Sequence, residues 1–89
     1  MQGQLLAGVF TVMVGTLMSS LVHPREVFSR AILAGAASII IAHNHPSGSL
    51  SISENDREVT RRIRQAGEIL GIRLDDHVIV ADGSFVSAY

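Results

Sequence analysis

Residues 37–56, ASIIIAHNHPSGSLSISEND, decide how this chain folds. Three consecutive isoleucines exclude a half-solvated, alternating strand and favour one covered on both faces. Pro46 has no N–H to give a ladder and biases His45 toward extended backbone, so the strand ends there. Residues 46–52 read as loop. Ser53, with Asp56 three residues on, is a capping box that opens a helix.

Working toward the C-terminus, Val59, Ile63, Ala66 and Leu70 recur at helical spacing, and Gly71 is a natural stop. Arg57, Arg61 and Arg64 line up on another side of this helix, where Glu54 and Glu58 make them a solvated charged face rather than a binding patch. The remainder, IRLDDHVIVADGSFVSAY, reads as a strand through Val78, Ile79 and Val80, a turn at Asp82-Gly83 and a short closing strand. Working toward the N-terminus, Pro24 suits the first turn of a helix over 24–36, with Val27, Phe28, Ala31, Ile32 and Gly35 on one apolar face. Residues 1–22 carry no charge, yet their small and β-branched residues, with no basic start, argue for one or two buried strands bent at Gly15 rather than a signal or a membrane span. The expected order is β-β-α-β-α-β-β, a sheet with helices packed on it and no membrane partner.

At 89 residues there is room for one domain, and 47% hydrophobic with 17% charged residues is a globular composition. A net charge of -1 gives no general attraction to phosphate backbones, so direct nucleic-acid binding is not indicated. Cysteine is absent, which fits a cytoplasmic setting and leaves only histidine and carboxylate to hold a metal.

That restriction bears on the end of the isoleucine strand. Alternate strand residues share a face roughly 6.5–7 Å apart, so His43 and His45 point the same way. Asp56, in the first turn of the following helix, can bring a third ligand to the same place. Two neutral imidazoles and one carboxylate leave an open position on a zinc ion, which is the mark of a catalytic rather than a structural site. Alone, an H-x-H pair is usually a hydrogen-bonded strand end and Ser53-x-x-Asp56 is usually a cap. Joined, H-x-H-x7-S-x2-D has a chance expectation of roughly one in a thousand. Ser53 can cap through a lone pair while its proton serves a bound oxyanion. His77, placed at a strand entrance, reads as a buried, hydrogen-bonded histidine behind the ligands rather than a ligand, and His23 as a surface residue.

This spacing resembles the JAMM motif of MPN-domain zinc proteases, and HPREVF, HNHPSG, S-x-x-D and DHVIVADG together resemble the bacterial RadC family, whose JAMM-like domain the chain covers almost end to end. The resemblance implies a cytidine-deaminase-like α/β fold with a mixed sheet and two main helices. It implies Zn2+ bound by His43, His45 and Asp56, with Ser53 donating to the tetrahedral intermediate as zinc-activated water cleaves a peptide or isopeptide bond of a protein substrate. The family's general base is a glutamate on an earlier strand, and here no acidic residue precedes Glu26. The expectation is therefore a single domain over 1–89 without that strand and the upstream helical segment. A sheet edge exposed by the missing strand would suit pairing into a homo-oligomer. The rival expectation is a non-catalytic binding or scaffolding module of the RadC family, associated with DNA repair.

Overall fold

A computed structural model describes residues 2–14, 22–45 and 48–89. The element order is β1 (Gln2–Leu6), β2 (Val9–Val14), α1 (Pro24–Leu33), β3 (Ser38–Asn44), α2 (Glu54–Leu70), β4 (Arg73–Ala81) and β5 (Ser84–Ser87). The strands form one five-stranded sheet in sequence order. β2, β3 and β4 run parallel, and antiparallel β1 and β5 lie at the edges. The expected α/β class and strand-helix order hold.

Both outer pairs are hairpins closed by two residues, Ala7-Gly8 and Asp82-Gly83. Ala7 (φ 54°) and Asp82 (φ 48°) adopt the left-handed region that tight hairpins of this twist need. The Asp82-Gly83 turn is where the sequence places it. The first pair turns at Ala7-Gly8, and the expected bend at Gly15 lies outside the described residues. β1 is not buried: Gly3 to Leu6 are exposed along a sheet edge.

Pro24 occupies the start of α1, and His23 caps it by accepting from the Arg25 N–H at 3.2 Å. The helix ends at Leu33, earlier than expected, and Ile32 is 54% exposed while Val27, Phe28 and Ala31 are buried. α2 opens at Ser53 with both capping-box bonds and stops at Gly71, whose φ of 75° only glycine adopts without strain. Leu70, which its spacing places on the apolar face, is exposed at the end of the helix. Gly67 instead faces the core: a Cβ there would meet the Ile72 carbonyl oxygen at 2.2 Å.

Phe10, Val12, Ile39, Ile41 and Leu74 form one apolar cluster with Val27, Phe28 and Ala31 of α1 and Val59 and Ile63 of α2. Both helices therefore pack on the same face of the sheet, as right-handed crossovers between successive parallel neighbours require. Among the described residues, helices cover the isoleucine run on one face only. Ile39 and Ile41 are fully buried, while Ile40 points to the other face and is half-buried between its neighbouring strands.

β4 starts at Arg73, well before the expected Val78, and its pairing with β3 shifts between Ile39 and Ile40. Ile39 pairs with Leu74 and Ile40 with Asp76, so Asp75 is the extra residue of a β-bulge. The bulge reverses the alternation, and Leu74, His77 and Ile79 all reach the helix-covered face. Among the described residues, no helix is long and apolar enough to cross a membrane.

Candidate metal centre

The C-terminal end of a parallel strand facing the N-terminus of the next helix is where open α/β sheets gather polar groups. Here β3 delivers His43 on its helix-covered face and His45 just beyond its last residue. The His45 N–H bonds the Val80 carbonyl at 3.1 Å, and its carbonyl accepts from the Gly48 N–H at 3.1 Å, which holds the turn against β4. The capping box of α2 fixes the third group. Asp56 Oδ2 accepts from the Ser53 N–H and the Ser53 hydroxyl, each at 2.8 Å, and the Asp56 N–H donates to Ser53 Oγ at 3.1 Å.

The result is a converging set. His43 Nε2 lies 3.2 Å from Asp56 Oδ1, and His45 Nε2 lies 3.1 Å from Asp56 Oδ2 and 3.4 Å from Oδ1. The two rings meet edge to face with centroids 5.0 Å apart. Asp56 is fully buried, His43 nearly so, and His45 stays partly open to solvent. His43, His45, Ser53 and Asp56, singled out in the sequence, thus come together in one place. Ser53 is exposed at the rim, with its hydroxyl proton directed at Asp56.

Two further buried residues belong to this cluster. His77, in the interior of β4 rather than at its entrance, puts Nε2 3.1 Å from His43 Nδ1. Its Nδ1 lies 2.7 Å from Thr60 Oγ1 on α2. One ligand atom from each of His43, Asp56 and His77 lies within 4.8 Å of the other two. Thr60 carried no signal in the sequence, since it sits one helical turn past Asp56 among ordinary helix residues. His77 was visible, but its direction depends on the bulge, which no local pattern announces.

Charge states follow from this packing. Burial pushes the His77 imidazole down to about 4, with neighbouring His43 adding to the effect. Burial also lowers His43, against the opposing pull of the Asp56 carboxylate. Burial alone would raise Asp56, but the Ser53 N–H and hydroxyl, with His45 and His43, outweigh it and hold the carboxyl below its ordinary value. Neutral imidazoles beside an ionised carboxylate are the protonation states a divalent cation needs of its ligands.

The Ser49 carbonyl fixes how His45 is turned. Its oxygen lies 3.0 Å from His45 Nδ1. A carbonyl can only accept, so Nδ1 donates to it and Nε2 is the nitrogen presented to Asp56.

A profile of the RadC-like JAB domain family matches residues 2–89. The chain belongs to that family. This RadC-like JAB domain is 63% identical over 75 residues to a UPF0758 protein of Rubrobacter xylanophilus, a match that covers 84% of the chain and 33% of that protein. It is 57% identical over 77 residues to a UPF0758 protein of Shouchella clausii, covering 86% and 34%. With a UPF0758 protein of Clostridium kluyveri it shares 52% identity over 83 residues, covering 93% and 36%. The chain spans about a third of the length of the curated relatives it matches.

Proposed function

We propose that this JAB domain is a JAMM-type zinc hydrolase of peptide or isopeptide bonds, with His43, His45 and Asp56 holding the metal. The observation that carries the reading is that two imidazole Nε2 atoms approach one buried carboxylate at 3.1–3.4 Å. Ligand atoms of a tetrahedral zinc lie roughly 3.3 Å apart, given bonds of about 2.0–2.1 Å. Neutral imidazole and carboxylate donors also suit zinc. The group whose ligand atoms all lie within 4.8 Å of one another is His43, Asp56 and His77, without His45; this reading takes His45 as third ligand because His77 faces His43 Nδ1, away from the Nε2 that meets Asp56.

A zinc ion held there supplies Lewis acidity toward a carbonyl oxygen and lowers the pKa of water bound to it. The chain's own residues do the rest. Burial keeps His43 neutral, the Ser49 carbonyl orients His45, and Ser53 holds Asp56 Oδ2 so that Oδ1 is free to ligate. Ser53 at the rim is the donor nearest an incoming amide. Swinging its hydroxyl from Asp56 to a developing oxyanion would place one hydrogen bond where charge accumulates. Proton transfer, worth about 10²- to 10⁴-fold, needs a general base, and this reading assigns it to a glutamate outside residues 1–89.

A second reading, a non-catalytic binding or scaffolding module, is favoured by one observation. Among the described residues, Asp56 is the only carboxylate that meets an imidazole nitrogen of the clustered histidines; Asp76 takes only the His77 backbone N–H.

Metal content after exhaustive dialysis tests the proposal. Wild type is expected to retain about one zinc per chain, and His45→Ala and Asp56→Ala little or none. Equal stoichiometry in all three would overturn it. Zinc retained without amide hydrolysis, in a longer chain that supplies an upstream glutamate, would select the scaffold.

A further inference from the structure

We infer that the groove between α1 and the C-terminal end of α2 is a docking site for an acidic amphipathic helix of a partner protein. Single apolar side chains in water are ordinary, but a contiguous patch of them marks an interface. Nine large apolar residues are exposed among the described residues, and four of them, Ile32, Leu33, Ile69 and Leu70, lie at the C-terminal ends of the two helices. Ile32 and Leu70 line one groove of about 280 Å³ with Pro24, Arg25, Phe28 and Ser29. Leu33 and Ile69 adjoin them in sequence and are 88% and 87% exposed. The floor is firm, since Phe28 is buried in the core cluster and the Ser29 hydroxyl donates back to the Glu26 carbonyl at 3.3 Å.

Charge decides what fits this trough. Among the described residues, Arg61 and Arg73 are the only arginines paired with a carboxylate. Arg25, on the groove, and Arg30, one turn before Leu33, have no such partner. The one carboxylate of α1 is Glu26, and Glu68 of α2 lines a different groove with Arg64, Arg73 and Tyr89. A helix with apolar residues every three or four positions would lay them on Phe28, Ile32 and Leu70, while carboxylates on its flank meet Arg25 and Arg30. The arginine fork suits such pairs. A second copy is the poorer occupant, because a two-fold interface sets the patch against itself and brings Arg25 and Arg30 toward the same cations. Roughly 21 Å along α2 separates Leu70 from Asp56. Docking here leaves the metal centre open.

Two synthetic peptides of about four helical turns test the inference. One carries leucine at i, i+3, i+4 and i+7 with glutamate elsewhere, and the other has lysine in place of glutamate. Titrated into 15N-labelled protein, the glutamate peptide is expected to shift the amides of Arg25, Ser29, Ile32, Leu33, Ile69 and Leu70 and to bind about tenfold more tightly than the lysine peptide. Ile32→Ser and Leu70→Ser are each expected to weaken it about tenfold. Arg25→Glu combined with Arg30→Glu is expected to reverse the preference, which an apolar surface without charge selection would not do, and this pair keeps the test intact should a serine variant not fold. Equal affinity for the two peptides, shifts centred elsewhere, or a preference unmoved by the charge reversal overturns the inference. Self-association in sedimentation velocity that Ile32→Ser abolishes would give the groove to a second copy and overturn it too. Loss of peptide binding in a longer chain would give it to that chain's own segment, with the same result.

Discussion

The two faces of the sheet are made from the same strands and behave oppositely. On the helix-covered face Phe10, Val12, Ile39, Ile41, Leu74 and Ile79 are buried, and His43 and His77 continue that surface into the polar cluster. On the other face Thr11 and Met13 are exposed, Ile40, Val78 and Val80 are half-buried, and Phe85 is 73% exposed. The difference lies in what each side must do. The covered face excludes water, and exclusion both stabilises the fold and gives buried imidazoles their neutral state. Stability and chemistry share one side of this small domain, so a site built there is supported by the same apolar contacts that hold the helices.

Neighbouring isoleucines give the sharpest test. Ile41→Ala removes a fully buried side chain from between both helices and is expected to cost about 4 kcal/mol. Ile40→Ala, one residue away and half-buried on the other face, is expected to cost about 1 kcal/mol. Urea unfolding of the two variants checks this, and similar losses would erase the distinction between the faces.

Acid should attack the covered face through its histidines. His77 titrates near 4 in the fold against an ordinary value of 6.5, so the unfolded chain takes up its proton first. Its contribution to stability is fully present above about pH 6.5 and is lost as pH falls toward 4, amounting to about 3 kcal/mol. His43 is lowered and acts in the same direction over its own window. Asp56, held below its ordinary value, contributes above that value and is lost only as pH falls through its folded one. Metal-free protein is therefore expected to lose stability steadily below pH 6.5 in urea titrations at stepped pH. In His77→Gln the slope between pH 6.5 and 4 should be visibly shallower. An unchanged slope would mean that buried His77 is already protonated.

Most of this arrangement was legible in the sequence because it rests on local rules. Pro24, the Ser53–Asp56 box, Gly71 and Asp82-Gly83 punctuate the chain through backbone chemistry that acts within a few residues. His43 and His45 share a face because strands alternate. The features that escaped notice depend on pairing between distant segments. The bulge at Asp75 is a property of β4 against β3, and it alone turns His77 inward. Gly67 is required by the approach of Ile72, five residues on, after a reversal of the chain. The isoleucine run looks two-sided in sequence, but a central strand shields its middle residue with neighbouring strands even where no described helix lies above it.

The smallest expected effect probes the uncovered face. Phe85 on β5 stands opposite Val80 and is already largely in water, so little apolar area is lost when it is shortened. Phe85→Ser is expected to change stability by less than about 0.5 kcal/mol, since most of the aromatic's transfer free energy is never realised in this fold. The measurement is urea unfolding at two protein concentrations tenfold apart. A loss above 1 kcal/mol that also grows with concentration would mean that a second copy covers this face in solution, and the contrast between the two faces would then belong to the isolated chain alone.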